Sequence, residues 1–226
     1  MPAHRRTALI AGVLYLVTIV TSIPALALKS ALLDGGTSGR ALSDARLAVV
    51  LELVLAVACV GTAVVLHPVL RRFGESLSLG FVAARTVEAA TIVVGVLAVL
   101  ALVTLRQAGP DDAAPALVAL HDWAFLVGPG LVPAVNALCL GTVLFRSRLV
   151  PRVIPAIGLA GAPLLIASAV ATVAGSLDQV STLAGALALP IAAWELSLGV
   201  WLTVKGFRPA ALAGAGQSTG SAPRTA

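Results

Sequence analysis

Arg85 and Glu88 stand three residues apart in FVAARTVEAATIVVGVLAVLAL, residues 81 to 102, a run otherwise apolar enough to cross a bilayer. Residues three apart share one face of a helix, so the two ionic groups can meet. A charge at mid-helix in a membrane costs about 2.5–3.5 kcal/mol, so it is paired, or it marks a proton or ion relay or a polar ligand site. Two more polar residues count to the same depth. At about 1.5 Å per residue, Glu195 lies roughly 15 Å above Lys205, Asn136 as far above Arg146, and Glu88 about 15 Å into a span starting near Ser78. Arg85, Glu88, Asn136 and Glu195 are therefore expected to form one intramembrane polar cluster. One cation against two carboxylates leaves that cluster formally negative, so a second cation joins it or one carboxylate keeps a proton. The alternative is an ion-pair clamp that holds three helices in register.

A second tier is expected toward the outside. Glu52 reads as interfacial, where a carboxylate is cheap. His121 and Asp122 read as a proton-handling pair or simply as an outer helix end, and Trp123 as an aromatic-belt anchor. Glu52, His121 and Asp122 have metal-ligating chemistry but no ligand spacing, so no metal is assigned. Between the tiers, Gly128, Pro129, Gly130 and Pro133 should kink or unwind their helix, because proline removes a donor and glycine loosens the turn. Gly158 and Gly161 read as close-packing positions.

These residues need elements to hold them, and composition says which. Of 226 residues, 59% are hydrophobic and 11% charged, with a mean hydropathy of +1.03. That leaves too little polar surface for a water-soluble fold, so lipid is the solvent. Six segments of about 20 or more apolar residues follow: 7–28, 46–69, 79–105, 117–145, 153–174 and 183–204. Lipid favours helices, which satisfy their own backbone. The expected fold is an all-α integral membrane bundle of about six transmembrane helices over residues 1–208. The tail, 209–226, is rich in Gly, Ala, Ser and Pro and is expected to be disordered. Ala25-Leu26-Ala27 would suit a signal cleavage site, but the run before it is long for a signal peptide and reads as a first span.

Ten of the fifteen basic residues fall on the side of the termini, whereas Lys29, Arg40, Arg46 and Arg106 fall on the other side with most of the aspartates. The positive-inside rule then places both termini in the cytoplasm. The charge of +5 forms short clusters beside apolar runs rather than a basic stripe with aromatics, so no nucleic-acid partner is expected. Cys59 and Cys139 read as small core residues. No phosphate loop, zinc helix or nucleophile elbow is present, so catalytic residues are not assigned and no cofactor is expected.

The chain resembles a family of bacterial multi-pass membrane proteins catalogued as domain of unknown function 4386. The resemblance runs over about residues 5 to 208, through RRTALIAGVLYL, FVAARTVEAA, LHDWAFLVGPG, LGTVLFRSRLVPRVIPAIGLAG and WELSLGVWLTVKGF. It implies a bundle of about six spans in the bacterial inner membrane, with Arg85, Glu88, His121 and Glu195 as its polar residues, and it implies no activity. The functional reading is an inner-membrane protein that binds or moves a small solute with proton coupling, its partners being lipid, the solute and the proton. The alternative is a non-catalytic accessory or assembly protein whose buried charges specify packing.

Overall fold

A computed structural model describes residues 3–109 and 112–217. Those residues form helices and no strand. Six spans are long and apolar enough to cross a membrane: His4–Leu33, Gly39–Leu70, Glu75–Ala108, Ala114–Ser147, Val153–Val173 and Thr182–Val204. The first three are the unbroken helices α1 (Ala3–Leu33), α2 (Gly39–Leu70) and α3 (Glu75–Ala108). The fourth is divided into α4 (Ala114–Val127), α5 (Val132–Asn136), a π-helical turn (Ala137–Gly141) and α6 (Thr142–Ser147). The fifth and sixth are α7 (Val153–Val173) and α8 (Thr182–Val204). Pro24, Pro68, Pro163 and Pro190 all lie inside helices that continue past them.

Each span packs on the next, and α8 packs back on α1 to close a ring. Small residues permit that closure. A Cβ on Gly12 would lie 2.5 Å from the backbone nitrogen of Thr203, and one on Gly199 would lie 3.1 Å from Tyr15 Cβ. Without a hydrophobic drive between helices in lipid, such backbone approaches supply the packing energy. Gly158 and Gly161 do the same between α7 and α8, where added Cβ atoms would meet the Trp194 ring at 2.5 Å and Pro190 at 2.8 Å.

Arg5 ties the two ends of the ring together. Its guanidinium donates to the carbonyls of Leu202, Thr203 and Val204 at 3.0, 2.8 and 3.1 Å. These are last-turn carbonyls of α8, which no later turn can satisfy. The chain leaves α8 through Gly206 at φ +75°, a left-handed exit that favours glycine. A short helix follows, α9 (Pro209–Gln217). The first half of the tail is thus helical rather than irregular. Proline fits a first helical position, and Ala and Leu are strong helix formers. Its Ala211 and Leu212 pack on the bundle. Residues 218–226 of the expected disordered tail lie outside the described residues.

The fourth span breaks where the glycines and prolines stand. Gly128 takes φ −77° and ψ −96°, outside the helical region, as the steric demand of the following Pro129 requires. Pro133 sits in the first turn of α5, where its missing N–H is harmless. The break changes the packing of the span: α4 packs chiefly on α3, whereas α5, the π-helical turn and α6 pack on both α3 and α7.

Candidate functional site

Arg85 points into the centre of the ring and is 1% exposed. Its Nη1 donates to Glu88 Oε2 at 3.1 Å, and its Nη2 donates to Glu195 Oε1 at 2.7 Å. Asn136 Nδ2 donates to the same Glu88 oxygen at 2.7 Å. The structure therefore brings together all four residues of the expected cluster, from α3, α5 and α8. Helix geometry explains the fit: Cα–Cβ bonds tilt toward a helix N-terminus, so Glu88 leans down toward Arg85 one turn below it.

Two more spans take part through residues whose role the sequence did not reveal. Tyr15 of α1 and Phe81 of α3 present ring faces to the guanidinium, with centroids at 4.9 and 5.9 Å from Cζ. Cys59 of α2 accepts from Nη1 at 3.5 Å. Four spans thus meet at the guanidinium, α1, α2, α3 and α8, and the fourth span joins the layer through the bond from Asn136 to Glu88. Tyr15 and Phe81 belong to the apolar core on the side of the termini, and Cys59 to the core on the far side. The guanidinium sits where the two cores meet. Among the described residues no second cation bonds to this layer, so its count stays at one cation and two carboxylates. Among the described residues, Arg85 Nε and Asn136 Oδ1 are buried without a hydrogen-bond partner.

The outer tier is more enclosed than a set of surface charges would be. Glu52 is 8% exposed and forms an ion pair with Lys29, itself 1% exposed. Lys29 does not belong to the outer loop, because α1 continues to Leu33. The two residues start at different heights, Lys29 four residues from the end of α1 and Glu52 thirteen from the start of α2. Their side chains meet because Lys29 leans toward the termini and Glu52 leans the opposite way, each toward its own helix N-terminus. A lysine so near a helix end commonly snorkels to water; here it is drawn inward by a carboxylate.

Lys29 Nζ also lies 5.3 Å from the ring centroid of Phe125, which stacks on His121 at 6.3 Å. His121 is buried, and its Nδ1 is 2.9 Å from Asp122 Oδ1. A Cβ on Gly95 would touch its ring at 3.7 Å, so α3 makes room for the imidazole. Asp122 reaches outward, half exposed, and its carbonyl accepts from Gln179 at 3.2 Å. Trp123 is exposed on the outside of the bundle. Among the described residues, no group of three or more His, Cys, Asp or Glu is placed to hold a metal ion.

The Domain of unknown function (DUF4386) family matches residues 10–206. The chain belongs to that family. No curated protein and no solved structure gave a match. Family membership and the six apolar helices agree that this DUF4386 protein is a multi-pass membrane protein.

The break in the fourth span borders a cavity of about 500 Å³. It opens where α4 stands away from α7, between Leu26 of α1, Phe125 of α4, Pro129 and Gly130 of the break, Ser168 of α7, and Gln179 with the start of α8. Most of the wall is apolar, with the Ser168 and Thr172 hydroxyls and the Gln179 amide among its few polar groups. Phe125 stands between this cavity and the Lys29–Glu52 pair. No residue of the Arg85 layer lines the cavity.

Proposed function

We propose that this DUF4386 protein binds a small solute in the cavity beside the broken helix, and that the Arg85 layer fixes the helices forming its walls. The observation that carries the reading is the cavity itself. Its volume falls within the roughly 300–1,000 Å³ typical of small-molecule sites, and its mixture of apolar wall and a few convergent polar groups is the usual one. Such a wall suits an uncharged, largely apolar molecule with one or two hydrogen-bonding groups. Unwound backbone at membrane depth is tolerated where it lines a cavity, as Pro129 and Gly130 do. Proton coupling belongs to the Arg85 layer, which holds two carboxylates for one cation. Glu195, with 14% of its side chain accessible against 7% for Glu88, is the carboxylate through which a proton enters. The proposed setting is the bacterial inner membrane with both termini cytoplasmic, supported by the excess of Lys and Arg on the terminal face.

One observation favours the accessory reading. The Arg85 guanidinium is buried beside two aromatic rings and contacts groups from α1, α2, α3 and α8, which suits a packing device. Gly185→Leu separates the two readings, because Gly185 lines the cavity and a Cβ there meets nothing within 4 Å. Neutral amphipathic molecules should raise the melting midpoint of the purified parent and leave that of Gly185→Leu unmoved, with folded yield equal. Glu195→Gln should remove any pH dependence of that shift. A panel that moves both proteins alike, or neither, would return the protein to the accessory class.

A further inference from the structure

A second cavity, of about 380 Å³, opens on the face that carries the termini, at the junction of α1, α8 and α9. Its lining is His4, Arg5, Lys205, Phe207, Pro209 and Leu212. Phe207 is buried and Leu212 half-buried, so the floor is apolar, while Lys205 is exposed at the rim. Among the described residues no carboxylate lines it. Ordinarily the last turn of α8 would bring negative carbonyl ends to this spot. Arg5 covers the carbonyls of Leu202, Thr203 and Val204, so the Lys205 ammonium is left without that competing charge. On the whole terminal face the described acidic side chain is Glu75, at the start of α3 and outside the cavity.

We propose that this cavity is a binding site for the phosphate headgroup of an anionic phospholipid. The phosphate sits on Lys205 with His4 as a hydrogen-bonding neighbour, and the glycerol and first methylenes lie along Phe207 and Leu212. The site joins a cation to an apolar floor at the level where α8 leaves the membrane, and basic pockets of this kind take lipid headgroups. A soluble phosphate ester would satisfy Lys205 but leave the floor uncovered. The proposal is independent of the solute cavity, which lies on the other half of the bundle.

The test is native mass spectrometry of the full chain in detergent, titrated with phosphatidylglycerol, phosphatidylcholine or glycerol 3-phosphate. One phosphatidylglycerol per chain should be retained in preference to phosphatidylcholine. Lys205→Ala should weaken that retention about fivefold, as expected for one basic side chain at a membrane surface, without changing phosphatidylcholine binding. The double variant Arg71→Ala/Arg72→Ala removes two exposed cations from the same face outside the cavity and should have no effect. Equal retention of the two lipids, no effect of Lys205→Ala, or an equal loss in the Arg71/Arg72 variant would overturn the site in favour of diffuse surface attraction. Displacement of the lipid by millimolar glycerol 3-phosphate would overturn the lipid assignment.

Discussion

Arg85→Met tests whether charge holds this bundle together. Methionine approximates the length of the arginine stem and keeps an apolar body between Tyr15 and Phe81, so the change is chiefly the loss of the guanidinium. Glu195 then loses its 2.7 Å partner, and Glu88 keeps only the Asn136 amide. Removing one partner of a buried ion pair costs about 3–5 kcal/mol, because the remaining charge is stranded. For a chain of this size, 1 kcal/mol moves a melting midpoint by about 2–4 °C, so the loss amounts to about 6–20 °C. The charge account also predicts a rescue. In Arg85→Met/Glu88→Gln/Glu195→Met no charge is left to strand, and the midpoint should return to within about 4 °C of the parent, since apolar replacements of whole buried pairs are commonly neutral. The assay is thermal unfolding of the detergent-purified protein followed by size-exclusion fluorescence. A single variant that melts with the parent would show that the layer pins nothing. A triple variant as labile as the single would assign the stability to the ring contacts of the guanidinium rather than to its charge.

Lys29→Met should destabilise by the same reasoning, about 3–5 kcal/mol, with recovery in Lys29→Met/Glu52→Gln; equal stability of the single variant and the parent in thermal unfolding would refute the second buried pair. Gly12→Ala should lower folded yield, because its Cβ would lie 2.5 Å from the Thr203 nitrogen, and overpacking of this kind costs about 1–3 kcal/mol. Gly39→Ala, with nothing within 4 Å, is the control and should leave yield unchanged.

The Arg85 cluster was legible in the sequence because depth could be counted from basic residues that mark helix ends. Arg85, Glu88, Asn136 and Glu195 each needed only a rise per residue and a helix face. The break at Gly128–Pro133 was legible because proline and glycine act locally. Lys29 was missed because a lysine near the end of an apolar run looks like a loop charge. A seam register would have found it: the buried or half-buried residues Ala8, Ala11, Tyr15, Thr18, Ser22, Ala25, Lys29 and Leu32 alternate in steps of three and four. Tyr15 and Cys59 were passed over because neither is ionic, and their role depends on which spans become neighbours across the ring. The helix over Pro209–Gln217 was hidden by a composition shared with irregular tails; what tips it is Leu212, which finds apolar surface to cover. The π-helical turn at Ala137–Gly141 carries no local residue signature at all.

The two carboxylates of the Arg85 layer reach the ribosome at very different times. Glu88 follows Arg85 by three residues, whereas Glu195 follows by 110. At about 5–20 residues per second of synthesis, that is an interval of roughly 5–20 s in which the third span sits in lipid with its charge balanced only by its own neighbour. Arg5 waits longer still, since the carbonyls it caps belong to the last turn of the final span. The ring therefore closes in a late step that joins α1 to α8, and until α8 is made both the third-span cation and Arg5 lack the partners that the closed bundle gives them.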